Sequence, residues 1–170
     1  MKKSQSLIER YLKDIKPGTL SWIGVRPERK VPLKAVTSVM ALKDMGLEGD
    51  HRCTKKPGSG RQVTLISEEY IQQIEHFTGN RSIHPAILRR NLVLKNINLS
   101  ALRHQQFTIG DAIFEANALC DPCSRMEQAL GKGGFIAMLG HGGLCAKIIQ
   151  GGVIRTGDSV KLMTAQGELF

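Results

Sequence analysis

Short apolar runs separated by turn residues make up most of the chain after its first 17 residues. The runs are rich in β-branched side chains and are bounded by Gly, Pro, Asn or Asp, which is typical of β-strands. The pattern predicts eight strands, over residues 19–26, 31–42, 61–66, 91–94, 106–109, 112–119, 144–149 and 159–163. Because helices do not alternate regularly with them, we expect a mainly β fold, a closed or partly closed barrel with a few peripheral helices.

Apolar residues at helical spacing mark the remaining elements. Residues 4–13 predict a short amphipathic helix, and residues 67–77 predict a surface helix that begins at Ser67. A chain of 170 residues has the usual size of one domain. We therefore expect an N-terminal helical segment over residues 1–17 and a barrel domain over residues 18–170.

Two similar stretches each place Gly-Asp between apolar runs, at Gly110-Asp111 and at Gly157-Asp158. A tight turn between two strands needs these residues, because Gly tolerates a positive φ and Asp can bond its own backbone. Asp111 and Asp158 are therefore predicted to be structural.

The net charge of the chain narrows the classes of molecule that it could bind. A net charge of +9 favours an anionic partner, which leaves a phosphate-bearing cofactor, an acidic protein or a nucleic acid open. Scattered basic residues, 5% aromatic content and the lack of a recognised binding motif argue against a nucleic-acid module. No apolar run approaches the roughly 20 residues of a membrane span, and charges interrupt the N-terminal stretch that a secretory signal would need. We expect a cytoplasmic protein without membrane contact.

Cysteine is the residue type that points most directly to chemistry. Four cysteines are too few for a disulfide framework in a chain of this length, so we expect free thiols: Cys53, Cys120, Cys123 and Cys145. A helix is predicted to begin beside Cys123, because Ser124 and Glu127 fit an S-x-x-E capping box. A thiol at a helix start, next to the cation of Arg125, ionises readily and is predicted to be a nucleophile or a soft-metal ligand.

The Cys120-x-x-Cys123 spacing has two other interpretations. A structural zinc needs four ligands, and the remaining Cys and His residues are not arranged as a second knuckle. A thioredoxin-like redox pair belongs in a βαβ context that this sequence does not supply. Neither interpretation is favoured.

Several motifs, in this order, resemble the small stand-alone bacterial MOSC domains, a name that denotes the C-terminal domain of eukaryotic molybdenum cofactor sulfurases. The motifs are residues 46–52 (GLEGDHR), 61–67 (RQVTLIS), 89–93 (RRNLV), 109–111 (IGD), 120–127 (CDPCSRME), 141–143 (HGG) and 154–158 (IRTGD). The resemblance covers residues 18–163 and implies a β-barrel with a pocket for the pyranopterin molybdenum cofactor.

The resemblance also implies the residues of the site. Cys123 is the expected functional cysteine and metal ligand, and Cys120 is its rival because Cys-Asp-Pro resembles the molybdenum ligand segment of amidoxime-reducing relatives. The expected cofactor contacts are Arg61, Arg89, Arg90, Asn91, Asp50, His51 and Arg125, and guanidinium groups suit the cofactor's phosphate. One departure is that Leu144-Cys145-Ala146-Lys147 follows the two glycines, so an expected arginine contact is missing or shifted to Lys147.

Three functions follow from this resemblance. The first is a molybdenum-cofactor-dependent oxidoreductase that reduces N-hydroxylated bases or related N-oxygenated small molecules, as in detoxification, with a separate electron-donor protein. The second is a sulfur carrier or sulfurtransferase that holds a cysteine persulfide. Any pyridoxal-phosphate enzyme that donates the sulfur would be a separate protein, because this chain has no room for such a domain. The third is a non-catalytic barrel that binds an anionic ligand.

Overall fold

A closed barrel of seven strands forms the body of the protein. The computed structural model describes residues 2–164. Within them the strands are β1 (Gly18–Val25), β2 (Lys34–Val36), β3 (Ser38–Leu42), β4 (Gly46–Leu47), β5 (Val63–Ser67), β6 (Leu92–Lys95), β7 (Gln106–Ile109), β8 (Ala112–Leu119), β9 (Leu144–Gln150), β10 (Gly152–Arg155) and β11 (Ser159–Leu162). The order around the barrel is β11-β7-β8-β9-β5-β6-β1, and β1 pairs with β11 to close it. The expected mainly β barrel is confirmed.

Two further groups of strands lie beside the barrel. Strand β2 pairs with β1 as an eighth strand, and β10, β3 and β4 form a separate three-stranded sheet. Within the barrel only β5 and β6 run parallel to each other.

The described residues form four α-helices: α1 (Lys2–Leu12), α2 (Glu68–Thr78), α3 (Ser124–Leu130) and α4 (Gly134–Met138). Of these, α2, α3 and α4 pack against the outside of the barrel. Ser67 caps α2 as predicted, since its hydroxyl accepts a hydrogen bond from the Tyr70 amide. No helix in the described part of the chain combines the length and apolarity that a bilayer crossing requires.

Two apolar cores hold these layers together. The first fills the barrel, where the rings of Phe107 and Phe114 stack with centroids 5.8 Å apart. The second lies between the barrel wall and the helices, and it includes Ile66 and Val93 on the wall and Met126 and Met138 on α3 and α4. Because α3 is anchored by this second core, the segment that precedes it, with Cys120 and Cys123, has a fixed position.

The strand predictions were wrong in one region. Residues 31–42 were predicted as one strand, but the chain breaks at Thr37 into β2 and β3, which belong to different sheets. Strands β4 and β10 were not predicted. Both are short, and they form because β3 offers hydrogen-bonding edges to them, which no local pattern reveals.

Candidate functional site

A cavity of about 430 Å³, which we call the arginine cavity, collects most of the predicted site residues. Six arginines line it: Arg26, Arg52, Arg61, Arg89, Arg90 and Arg125. Only two carboxylates, Asp50 and Asp121, line it as well, and none of the six arginines forms an ion pair among the described side chains. The cavity therefore carries a positive charge that an anionic ligand would neutralise.

Strand pairing brings distant arginines together. Strand β1 pairs antiparallel with β6, with Ile23 opposite Leu92, and the Gly24 amide donates to the Asn91 carbonyl at 2.7 Å. Continuing that register places Arg26, which follows β1, beside Arg89, which precedes β6. Arg26 was not among the predicted site residues, because its partner lies more than 60 positions away in the chain. Arg52 was also missed, although it belongs to one of the recognised motifs.

Two buried polar residues hold the loops that carry these arginines. Asn91 accepts hydrogen bonds from the amide and hydroxyl of Thr64 and donates to Gly24 and to Asp50, each at 3.1 Å. Asp50 in turn accepts from the backbone amides of Arg26 at 2.9 Å and Arg52 at 3.0 Å. Both side chains line the cavity, yet their hydrogen-bonding groups are already occupied by the protein. Their predicted contact with a cofactor stays a prediction.

Arg90 connects the β6 segment to the cysteine segment. Its side chain is buried, and it donates to the carbonyl oxygens of Gly142 at 2.7 Å, Leu88 at 2.9 Å and Cys120 at 3.2 Å. Burial lowers the pKa of Arg90, and the neighbouring Cys120 opposes that shift. Three of its five N–H groups are thus used to position backbone rather than ligand.

The Cys120 thiol is buried and surrounded by groups that favour its ionised form. The neighbouring Cys145 thiol, with further contributions from Arg90 and Arg61, lowers the pKa of Cys120 to about 6, although burial acts in the opposite direction. The same interaction raises the pKa of Cys145. The neighbours of Cys120 therefore favour its thiolate. Cys145 is a further residue that the sequence analysis did not assign to the site.

Cys123 is exposed and lines the arginine cavity directly. It is the N-cap residue of α3, as the predicted helix start requires, but its side chain makes no capping hydrogen bond. The predicted capping box of Ser124 and Glu127 is wrong. Glu127 instead accepts hydrogen bonds from the amides of Gly133 at 2.7 Å and Phe135 at 2.8 Å, which hold the start of α4. The hydrogen bond from the Phe135 amide contributes most to lowering the pKa of Glu127, and the one from the Gly133 amide contributes next.

His51 lines the cavity beside Asp50. Its Nδ1 lies 3.4 Å from Asp50 Oδ1, without the alignment of a hydrogen bond. Burial lowers the pKa of His51 despite that carboxylate, so the imidazole is neutral at pH 7. A neutral ring can accept or donate a proton at either nitrogen when a ligand is present.

The two glycines of the HGG motif allow the chain to approach the cysteine segment closely. A side chain at Gly142 would collide with the Cys120 carbonyl, and one at Gly143 would collide with the Leu65 carbonyl. Lys147, suggested above as a replacement for a missing arginine, lies opposite Glu115 on β8 and does not line the arginine cavity.

In residues 2–164 no group of three or more His, Cys, Asp and Glu side chains could hold a metal ion.

Comparisons with known proteins agree with the barrel fold and include most of the residues that line the arginine cavity. The profile of the MOSC domain matches residues 50–161, and no curated protein matches the sequence. The fold is similar to that of the YuaD protein from Bacillus subtilis, with a TM-score of 0.75 and 17% identity over 89% of this chain and 98% of that one.

Two proteins named YiiM have similar folds as well. The one from Geobacillus stearothermophilus has a TM-score of 0.69 and 16% identity, over 86% of this chain and 75% of that one. The one from Escherichia coli has a TM-score of 0.63 and 19% identity, over 89% of this chain and 72% of that one. At these identities the likeness concerns the fold.

Proposed function

The chain belongs to the MOSC domain family, and from this premise we propose that it is a molybdenum-cofactor-dependent oxidoreductase. The arginine cavity would hold the anionic cofactor, and a thiolate of the Cys120–Cys123 segment would bind the metal. The substrates are N-hydroxylated bases or related N-oxygenated small molecules, as the sequence resemblance implies. The electrons would come from a separate donor protein. Four free cysteines suit the reducing cytoplasm, which is the proposed location.

One observation carries the proposal: six arginines that form no ion pairs in the described side chains line one cavity, and one of them, Arg61, donates to the sulfur of Cys120 at 3.4 Å. A pterin cofactor with a phosphate needs cationic donors, and guanidinium groups bind phosphate through two parallel hydrogen bonds. The Nε of Arg26 is buried without a hydrogen-bond partner, so the cavity lacks an acceptor at that point. The residues present therefore fit an anionic cofactor.

The residues of the cavity fall into two groups, those that would contact the cofactor and those that position the backbone around it. Arg61, Arg89 and Arg125 line the cavity and would hold the phosphate and the pterin oxygens. Arg90 and Asn91 keep the surrounding backbone in place, because their groups are already bonded. When bound, the cofactor would supply a metal that exchanges electrons with the N–O group of the substrate.

Cys120 and Cys123 differ in how well each could bind the metal. A cysteine binds molybdenum as its thiolate, which favours Cys120, although Cys120 is buried and does not itself line the arginine cavity. Cys123 is the preferred ligand on sequence grounds and faces the cavity openly. We assign the metal to Cys120 on its ionisation, with Cys123 as the alternative that the following experiment separates.

The test is the metal content of protein expressed in a host that makes the cofactor. Wild-type protein should contain molybdenum and release a pterin, and Cys120→Ser should lose the metal while Cys123→Ser keeps it. Cys53→Ser is the matched control, because Cys53 only donates to the Leu47 carbonyl at 2.9 Å, a bond that serine can also make. Loss of metal in Cys123→Ser alone would assign the ligand to Cys123, and wild-type protein without metal or pterin would refute the oxidoreductase.

Exposure of Cys123 favours a second candidate, a sulfur carrier. A persulfide on an exposed thiol in a cationic cavity is accessible to both a donor and an acceptor protein. Incubation with a pyridoxal-phosphate cysteine desulfurase and cysteine should then increase the mass of the Cys123 peptide by one sulfur atom. An unmodified Cys123 would exclude this function, and a protein that binds anions but neither metal nor sulfur would be the non-catalytic barrel.

A further inference from the structure

A second cavity adjoins the arginine cavity and shares three of its arginines: Arg26, Arg89 and Arg125. It has a volume of about 570 Å³, and the rest of its lining is apolar except for Lys30 and Gln128. The apolar part comes mainly from Val31, Pro32, Leu33, Ile87, Met126 and Ala129. We call it the apolar cavity. The function proposed above gives it no role.

The shared arginines need an acceptor. Burial lowers the pKa of Arg89, and the charges of Arg26 and Arg125 lower it further, so the three guanidinium groups lie close enough to repel one another. The same holds for Arg26, whose pKa is lowered by burial in spite of Asp50. Its Nε is buried and has no partner. An anionic group placed among these three side chains would relieve the repulsion and complete the hydrogen bonding.

The apolar part of the lining suits an apolar occupant. Ile87 leaves 40% of its surface exposed, whereas Leu33 and Met126 are buried. Covering exposed apolar area contributes about 25 cal/mol for each Å² removed from water. A volume of this size matches small-molecule sites, which are mostly apolar with a few polar groups that orient the ligand.

We propose that the apolar cavity binds a small aromatic or alkyl oxyanion, a ligand other than the N-oxygenated substrate, with its organic body against the apolar side chains and its oxyanion among Arg26, Arg89 and Arg125. The three arginines line both cavities, so an anion bound here would lie beside any ligand of the arginine cavity.

The test uses 1-naphthoate as a probe and protein expressed in a host that cannot make the cofactor, so that binding does not depend on metal. Isothermal titration should show that naphthoate binds at least about tenfold more tightly than 1-naphthalenemethanol, which lacks the charge, and than acetate, which lacks the ring. Equal affinity for naphthoate and either comparator would overturn the proposal.

Two variants locate the probe. Ile87→Asp and Ala129→Glu place a negative charge at exposed positions of the apolar wall and should each weaken naphthoate binding about tenfold or more. Ile136→Asp is the matched control, because Ile136 is 65% exposed on α4 and lies outside both cavities. Circular dichroism checks that the variants fold. If Ile87→Asp unfolds, Ala129→Glu still tests the proposal, because Ala129 is an exposed residue of α3 where a charged side chain is tolerated. Wild-type affinity in Ala129→Glu, or equal loss in Ile136→Asp, would contradict the assignment.

The outcome is separate from that of the metal experiment. Tight, charge-dependent naphthoate binding in a protein that never acquires molybdenum would refute the oxidoreductase and leave the anion site of the apolar cavity standing. A protein that acquires molybdenum but does not discriminate naphthoate from its comparators would refute only the role of the apolar cavity.

Discussion

Arg61 donates a hydrogen bond from Nη2 to the sulfur of Cys120 across 3.4 Å. Arg61 comes from the loop before β5, and Cys120 follows β8, so the contact joins two parts of the chain 59 residues apart. It places a cation of the arginine cavity directly on the ionised thiol. The charge of the cavity and the reactivity of the cysteine are therefore coupled.

Cys145 should have a larger effect on that thiol than Arg61. Its thiol is the largest cause of the lowered pKa of Cys120, ahead of the arginines. Cys145→Ala should therefore raise the pKa of Cys120 from about 6 toward its ordinary value, and Arg61→Gln should raise it by less. The measurement is the pH dependence of Cys120 alkylation, followed by peptide mapping in a Cys123→Ser background. A larger shift in Arg61→Gln than in Cys145→Ala would contradict the dominant effect of Cys145.

Stability should depend on pH through the same thiol. The pKa of Cys120 is about 6 in the folded protein and about 8.5 in an unfolded chain, so between these values folding releases a proton. The contribution of Cys120 to stability is fully present above about pH 8.5 and is lost as the pH falls through about 6. The difference in melting temperature between wild type and Cys120→Ser should thus become more favourable to wild type from pH 6 to pH 8.5. A difference that is constant over this range would be inconsistent with an ionised thiol.

Arg89 lies in a backbone conformation that glycine adopts more easily. Its φ is 61° at the end of the 3₁₀ turn Pro85–Leu88, whereas Arg103 ends the turn Leu99–Leu102 with a φ of −60°. Arg89→Gly should be more stable than Arg89→Ala by about 1 kcal/mol, and at Arg103 the order should be reversed. Chemical denaturation of the four variants measures this. Both Arg89 variants should lose cofactor or anion affinity equally, since both remove the guanidinium.

Gly143 should tolerate a side chain less well than Gly140. Both have a positive φ, of 98° and 80° respectively, but a side chain at Gly143 would strike the Leu65 carbonyl while Gly140 has open space around it. Gly140→Ala should cost about 1 kcal/mol for backbone strain alone. Gly143→Ala should cost at least about 2 kcal/mol more, because the backbone at Leu65 would have to move. Equal free energies of unfolding for the two variants would contradict the collision expected at Gly143.

Local patterns in the sequence were sufficient for the elements that depend on near neighbours. Residues 106–109 and 112–119 form β7 and β8 with the predicted bounds, because strand alternation and the turn at Gly110-Asp111 are encoded within a few residues. The turn role of Asp158 is supported as well, since its carboxylate accepts from the Arg155 amide at 2.7 Å. The motif resemblance also identified the correct fold and a set of residues that do line one cavity.

Tertiary structure alone decided the rest of the site. Arg26 meets Arg89 only through the β1–β6 register, and Cys145 meets Cys120 only because β8 and β9 pair. The capping-box prediction failed for the same reason. Packing brings the Gly133 and Phe135 amides, at the start of α4, to Glu127, and its carboxylate accepts hydrogen bonds from them. A sequence determines which groups can ionise, accept or donate. Which of them do so depends on partners that are distant in the chain, and these are fixed only when the barrel closes.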